Sequence, residues 1–124
     1  IIGTTLIMPG MQYNQREIVL VPFPYSDLSA TKKRPVIIVS NSDYNLKHED
    51  IVVCVITSNQ YKDDFSVDLE NEDLEIGILP ETSVVKVHKL FTIHKSKIIR
   101  KFSSVKPEYY PKIEKLINKL VASE

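Results

Sequence analysis

The chain is short of several things. It has a single cysteine, Cys54, so no disulfide can form within it, and the apolar run around Cys54 favours a buried, inert thiol and a reduced, cytoplasmic setting. No apolar run approaches the roughly 20 residues of a membrane span, and the opening segment lacks the basic start of a signal peptide. With only three glycines there is no Gly-rich phosphate loop, and neither Gly-x-Ser-x-Gly nor His-Glu-x-x-His occurs. His48, His88 and His94 lack the paired cysteine or carboxylate spacing of a metal site, so chemistry without metal or cofactor is expected. Net charge is missing too. Sixteen basic residues balance sixteen acidic ones, which at first argues against a nucleic-acid partner.

What is present is arranged unevenly. From Asp63 to Glu75 the chain carries seven acids (Asp63, Asp64, Asp68, Glu70, Glu72, Asp73 and Glu75) and no lysine or arginine. From Thr82 to Pro107 it carries Lys86, Lys89, Lys95, Lys97, Arg100, Lys101 and Lys106 and no acid. A polyanion responds to the field within about 10 Å at moderate salt, so a neutral chain with segregated charge still offers a phosphate a basic surface.

A length of 124 residues fits one domain that buries about two thirds of its unfolded-chain surface. Residues 1–12 show no period and contain Gly3, Pro9 and Gly10; they are expected to be a loose arm or tag-like extension, with the domain proper over residues 13–124. Glu17 to Phe23 reads as a first strand. Pro24 to Lys33 is a ten-residue connection rich in turn formers. Pro35 to Ser40 is a second strand buried on both faces, and Asn41 to Asp50 is polar, with room for one helical turn. Ile51 to Ile56 is a third strand, ending abruptly in Thr57-Ser58-Asn59, so that two hydroxyls and an amide arrive at one end of the sheet.

Phe65 to Glu70 alternates as a half-buried strand, and Leu74 to Pro80 is a loop or short strand. Ser83 to Ile93 is a strand whose period of two puts Val84, Lys86, His88 and Leu90 on one face and Val85, Val87, Lys89 and Phe91 on the other. Lys97 to Val105 is a last strand or extended piece. Ile113, Leu116, Ile117, Leu120 and Val121 then form the apolar stripe of a helix with Pro111 in its first turn. Five or six short strands before one late amphipathic helix make a mainly β (α+β) domain, a bent antiparallel sheet closed into a partial barrel. Parallel α/β architecture is disfavoured, because no crossover helix separates the first three strands.

Candidate chemistry gathers at three places: Lys32-Lys33-Arg34-Pro35 before the second strand, Thr57-Ser58 after the third, and Lys86 with His88 on a later one. Pro35 holds Arg34 extended, giving a permanently charged guanidinium a defined direction.

Four blocks in order, Glu17-Ile-Val-Leu-Val-Pro-Phe-Pro-Tyr25-Ser-Asp27, Lys33-Arg34-Pro35-Val-Ile-Ile-Val-Ser40, Val55-Ile56-Thr57-Ser58 and Ser83-Val-Val-Lys86-Val-His88-Lys89-Leu90, resemble the MazF/PemK family of toxins from toxin–antitoxin pairs. The resemblance runs from about Tyr13 to Val121. It implies an SH3-like barrel of the MazF/PemK/CcdB type with a C-terminal helix, and a homodimeric, metal-independent, sequence-preferring endoribonuclease on single-stranded RNA. A cognate antitoxin peptide of the MazE/PemI kind would neutralise it.

Carried over, the resemblance implies catalytic roles for Arg34, Thr57 and Ser58. Where some relatives place an acid two residues after a basic one, this chain has Lys86 and His88, so His88 becomes the candidate base. Lys32, Lys33, Asn59, Lys86 and Lys89 are the expected RNA-binding residues. Where relatives often have Gly-Asp before the first strand, this chain has Arg16-Glu17, read as structural. Two other readings stay open: a CcdB-like gyrase poison of the same fold class, and a non-catalytic SH3-like binding module.

Overall fold

The computed structural model describes residues 12–24, 31–59 and 61–124. Nearly all of the expected N-terminal arm, residues 1–11, and most of the first connection, residues 25–30, lie outside the described residues. Six strands form one antiparallel sheet: β1 (Glu17–Pro24), β2 (Thr31–Ile38), β3 (Asp50–Thr57), β4 (Ser66–Leu69), β5 (Ser83–His94) and β6 (Arg100–Ser104), in the spatial order β4-β5-β3-β2-β1-β6. Among the described residues two α-helices accompany them, α1 (Ser42–Lys47) and α2 (Tyr110–Val121).

The sheet curls until its ends meet. Beyond β4, Leu74 forms a bridge with Val105 just past β6, Glu75 N–H donates to the Ser104 carbonyl at 2.8 Å, and Lys106 N–H donates to the Asp73 carbonyl at 2.9 Å. This clasp makes the partial barrel, and it satisfies backbone groups that two open edges would leave unpaired.

Apolar side chains fill both faces. On one, Ile18, Ile37, Cys54, Ile56, Val85 and Val87 pack beneath α2, which contributes Tyr110 and Ile113, with Leu116 and Ile117 partly buried against the cluster. The helix is there because its apolar stripe matches this face. The far end of the stripe behaves differently: Leu120 and Val121 are exposed, since α2 runs past the edge of the apolar cluster. On the other face, Tyr13, Val19, Val21, Val36, Ile38, Ile51 and Val53 form a second cluster, joined by Phe91, Ile93 and Ile98.

Three local details differ from the sequence reading. The second strand starts at Thr31 rather than Pro35, so Lys32, Lys33 and Arg34 are strand residues opposite Phe23, Pro22 and Val21. The polar stretch after β2 holds a full short helix, α1, whose first turn is closed by Asn41 Oδ1 accepting the Tyr44 N–H at 2.9 Å. The expected alternation along β5 is broken by a bulge. Cys54 pairs with Leu90, but Val55 pairs with Lys86, leaving Val87, His88 and Lys89 without opposite partners on β3. Side chains directly opposite share a face, so Lys86 lies on the face of Val55, as Phe91 lies on that of Val53. Leu90 instead joins the cluster under α2.

Arg16 precedes β1 in a left-handed conformation, φ 82°. Its N–H donates to the Ile38 carbonyl at 2.9 Å, and its guanidinium donates to the Val105 carbonyl at 2.6 Å. Such a φ favours glycine, and here the two main-chain bonds hold an arginine in it.

Candidate active site

The second apolar face turns polar at one end. Alternation along β2 carries it from Ile38 and Val36 to Arg34, and along β3 from Val53 to Val55 and Thr57. The β2–β3 ladder stops at Val36–Val55. Continued by one further same-face pair, it sets Arg34 beside Thr57. Pro35, which lacks an N–H, sits where that pairing has ended, so it costs the ladder nothing.

Arg34, Val55, Thr57, Asn59, Tyr61, Asp63, Lys86, His88 and Lys89 line one cavity of about 410 Å³ here. Six of the sequence candidates (Arg34, Thr57, Asn59, Lys86, His88 and Lys89) are thus brought together. Ser58, the next residue after Thr57, is exposed and outside the lining, as are Lys32 and Lys33 on the open stretch of β2. The β5 bulge explains how Lys86, His88 and Lys89 share a cavity that strict alternation would have divided between two faces.

Hydrogen bonds set the local chemistry. Thr57 Oγ1 accepts the Asn59 N–H at 3.1 Å, which uses an acceptor position and leaves its hydroxyl proton as the group it can give to an anion. Lys86 is 6% exposed. Its ammonium donates to the Tyr61 carbonyl at 2.6 Å and to Ser66 Oγ at 3.1 Å, so two of its three donors hold the protein together and its charge acts on the cavity. The His88 ring meets Phe65 edge to face, with ring centres 6.2 Å apart.

Two lining residues were not singled out from the sequence. Tyr61 and Asp63 come from the connection between β3 and β4; in the sequence Asp63 figures only as one of an acidic run, and Tyr61 not at all. Asp63 Oδ1 accepts from Phe65 N–H at 2.9 Å and from Ser66 Oγ at 3.0 Å. The Phe65 N–H holds this carboxyl below the usual carboxylate range; partial desolvation opposes, while the Ser66 hydroxyl, Lys86 and His88 act with it. An acid therefore stands in the site, supplied by a loop rather than by β5. The sequence signal for it is Asp63-x-x-Ser66, a spacing that closes a turn through its own side chains.

The remaining histidines are engaged elsewhere. The His48 ring stacks on Tyr44 at 4.1 Å, and His94 Nε2 lies 2.7 Å from Glu49 Oε1. Among the described residues no group of three or more His, Cys, Asp or Glu converges as a metal site, and no helix is long and apolar enough to cross a membrane.

The comparison with known proteins turns on the whole domain. The model of the family described as PemK-like, MazF-like toxin of type II toxin–antitoxin system matches residues 14–121. The chain belongs to this family. Similar solved structures include an endoribonuclease in complex with its cognate antitoxin from a mycobacterial species, at 19% identity and a TM-score of 0.74 over 90% of the toxin and 97% of that chain. MazE–MazF from Deinococcus radiodurans is 16% identical, with a TM-score of 0.74 over 91% and 99%. The Mycobacterium tuberculosis toxin MazF-mt6 is 17% identical, with a TM-score of 0.68 over 88% and 99%. No curated protein matches the toxin by sequence. At such identities the structures speak for the fold: a mostly β, six-stranded half-barrel with a C-terminal helix.

Proposed function

We propose that this toxin is a metal-independent endoribonuclease that cuts single-stranded RNA with some sequence preference, and that a cognate antitoxin silences it by covering the same cavity. The observation that carries the reading is the convergence of Arg34, Thr57 and His88 on one cavity, on the face that α2 leaves uncovered. Solved relatives named as endoribonucleases and as MazE–MazF complexes support the substrate and partner classes.

In this reading the scissile phosphate lies between Arg34 and Thr57. His88 takes the proton of the adjacent 2′-hydroxyl as that oxygen attacks phosphorus. The guanidinium and the Thr57 hydroxyl stabilise the extra negative charge of the phosphorane, where one preorganised donor is worth about 2.7 to 4 kcal/mol of barrier. The bond to the 5′-oxygen breaks, the Arg34 guanidinium gives that oxygen a proton and regains one from solvent, and the ends are a 2′,3′-cyclic phosphate and a 5′-hydroxyl. Asn59, Lys86 and Lys89 add charge and hydrogen-bonding capacity around the strand. Ser58, Lys32 and Lys33 act from outside the cavity, the lysines by steering. The cytoplasm is its place of action. Pairing of two copies completes the proposal, with exposed Ile76, Ile78, Leu120 and Val121 as apolar surface available for it.

Incubation of a long single-stranded RNA with wild-type and Arg34→Ala protein in EDTA tests this directly. Cleavage by the wild type with cyclic-phosphate ends, reduced about a hundredfold or more in the variant, is expected. Intact RNA alongside inhibition of gyrase supercoiling would sink the reading in favour of a gyrase poison.

A further inference from the structure

We infer that Tyr61 is a fixed platform on which a base of the bound strand stacks, next to the phosphate held by Arg34 and Thr57; the inference rests on the RNA reading given above. Tyr61 is 70% exposed and lines the same cavity as Arg34 and Thr57. Exposure of an aromatic residue is by itself unremarked in proteins. What distinguishes Tyr61 is how firmly it is held.

Its N–H donates to Asn59 Oδ1 at 3.0 Å, and its carbonyl accepts the Lys86 ammonium at 2.6 Å. The same ammonium lies 5.0 Å from the centre of the tyrosine ring. One nearly buried cation therefore grips both the main chain and the ring, while its bond to Ser66 Oγ at 3.1 Å anchors it to β4. Burying an ammonium is costly unless it is well paired. Here the pairing fixes an otherwise solvent-exposed ring at the rim of a cationic cavity.

The physical consequence is preorganisation. A ring already held in place forfeits little conformational entropy when a partner arrives. Every nucleobase has a π-face, so such a ring grips single strands with little regard to sequence. Phosphate contacts by Arg34 and Thr57 then set the position of the backbone, and Tyr61 secures the neighbouring base. Lys86 is the positioning residue behind it.

Fluorescence anisotropy at fixed salt tests the assignment with two probes: a mixed-sequence 2′-O-methyl RNA twelve-mer, which lacks the attacking hydroxyl, and an abasic oligomer of the same length and charge. Tyr61→Ala and Tyr61→Leu should weaken binding of the base-bearing probe about tenfold, the scale of a lost base–aromatic stack, and leave the abasic probe unchanged. Tyr61→Phe should bind like the wild type, and all three variants should keep the wild-type melting temperature. Equal losses on both probes, or none on either, would overturn the stacking role while leaving the nuclease reading standing. Failure of the wild type to bind either probe would remove both.

Discussion

Thr57→Val isolates one hydroxyl in the proposed mechanism. Thr57 ends β3 half-buried, and valine keeps its β-branched shape and nearly its volume, so the strand is preserved. Among the described residues the bond lost is that from the Asn59 N–H. A neutral hydrogen bond is worth about 0.5 to 1.5 kcal/mol, and Asn59 is exposed, so water takes over the donor and the cost to stability stays below about 1 kcal/mol. That is a fall in melting temperature of about 5 °C or less. The Thr57 hydroxyl proton, which that bond does not use, is worth about 2.7 to 4 kcal/mol when given to the phosphorane, or about a hundred- to a thousandfold in rate. The two effects differ enough to separate. Single-turnover cleavage of an end-labelled RNA in EDTA, run beside a thermal melt, should show the large rate loss with the small stability loss, and Thr57→Ser should recover most of the rate. If Thr57→Val cleaves within about threefold of the wild type while melting normally, Thr57 gives no proton to the transition state and the composite phosphate site is wrong.

Three further outcomes follow from other parts of the molecule. His88→Ala should slow cleavage in EDTA by about a hundredfold or more while the melting temperature stays at the wild-type value, and cleavage at the wild-type rate would deny His88 the role of base. Burial pushes the Cys54 thiol up to about 12 from an ordinary value near 9, and likewise pushes Tyr110 to about 12 and Tyr109 upward. The unfolded chain therefore releases these protons first, so stability is whole below about pH 9 and falls as pH rises beyond it. Urea titrations at pH 8, 9.5 and 10.5 should show the decline, a Cys54→Ala variant should delay its onset, and Cys54 should resist thiol reagents at pH 8 until the protein is unfolded. Arg16→Ala should lose about 1.5 to 3 kcal/mol through the missing bond to the Val105 carbonyl while keeping a left-handed φ. Arg16→Gly should be milder by about 1 kcal/mol, because glycine carries no penalty there; equal losses in denaturant titration would show that the backbone is not strained.

Much of this architecture is visible in the residues themselves. Val and Ile runs mark β1, β3 and the two halves of β5, and the 3.6-residue stripe from Ile113 marks α2, because burial on a pleated or helical surface demands those patterns. The start of β2 is hidden for a physical reason. Thr31 to Pro35 pair with β1 but have no ladder pairing to β3, so that stretch is in effect an edge, where lysines and a proline are welcome and imitate a loop. Arg34, Thr57 and His88 stand out in sequence because each ends or interrupts an apolar run. Tyr61 and Asp63 do not, since their places depend on the Lys86 ammonium and the Asp63–Ser66 turn, contacts that no periodicity encodes.

The bulge on β5 has a bearing on how such a site changes over generations. In a regular strand, adding or deleting one residue throws every later side chain to the opposite face. Between Lys86 and Leu90 the strand already departs from regular pairing, so a change of length there is absorbed on the spot. Val84 and Val85 on one side, and Phe91 and Ile93 on the other, keep their partners across β3. Within the bulge only Val87 belongs to the apolar cluster beneath α2, while Lys86, His88 and Lys89 face the cavity. Reactivity and substrate choice can drift there by insertion as well as by substitution, so long as Val87 and Leu90 keep their places in that cluster.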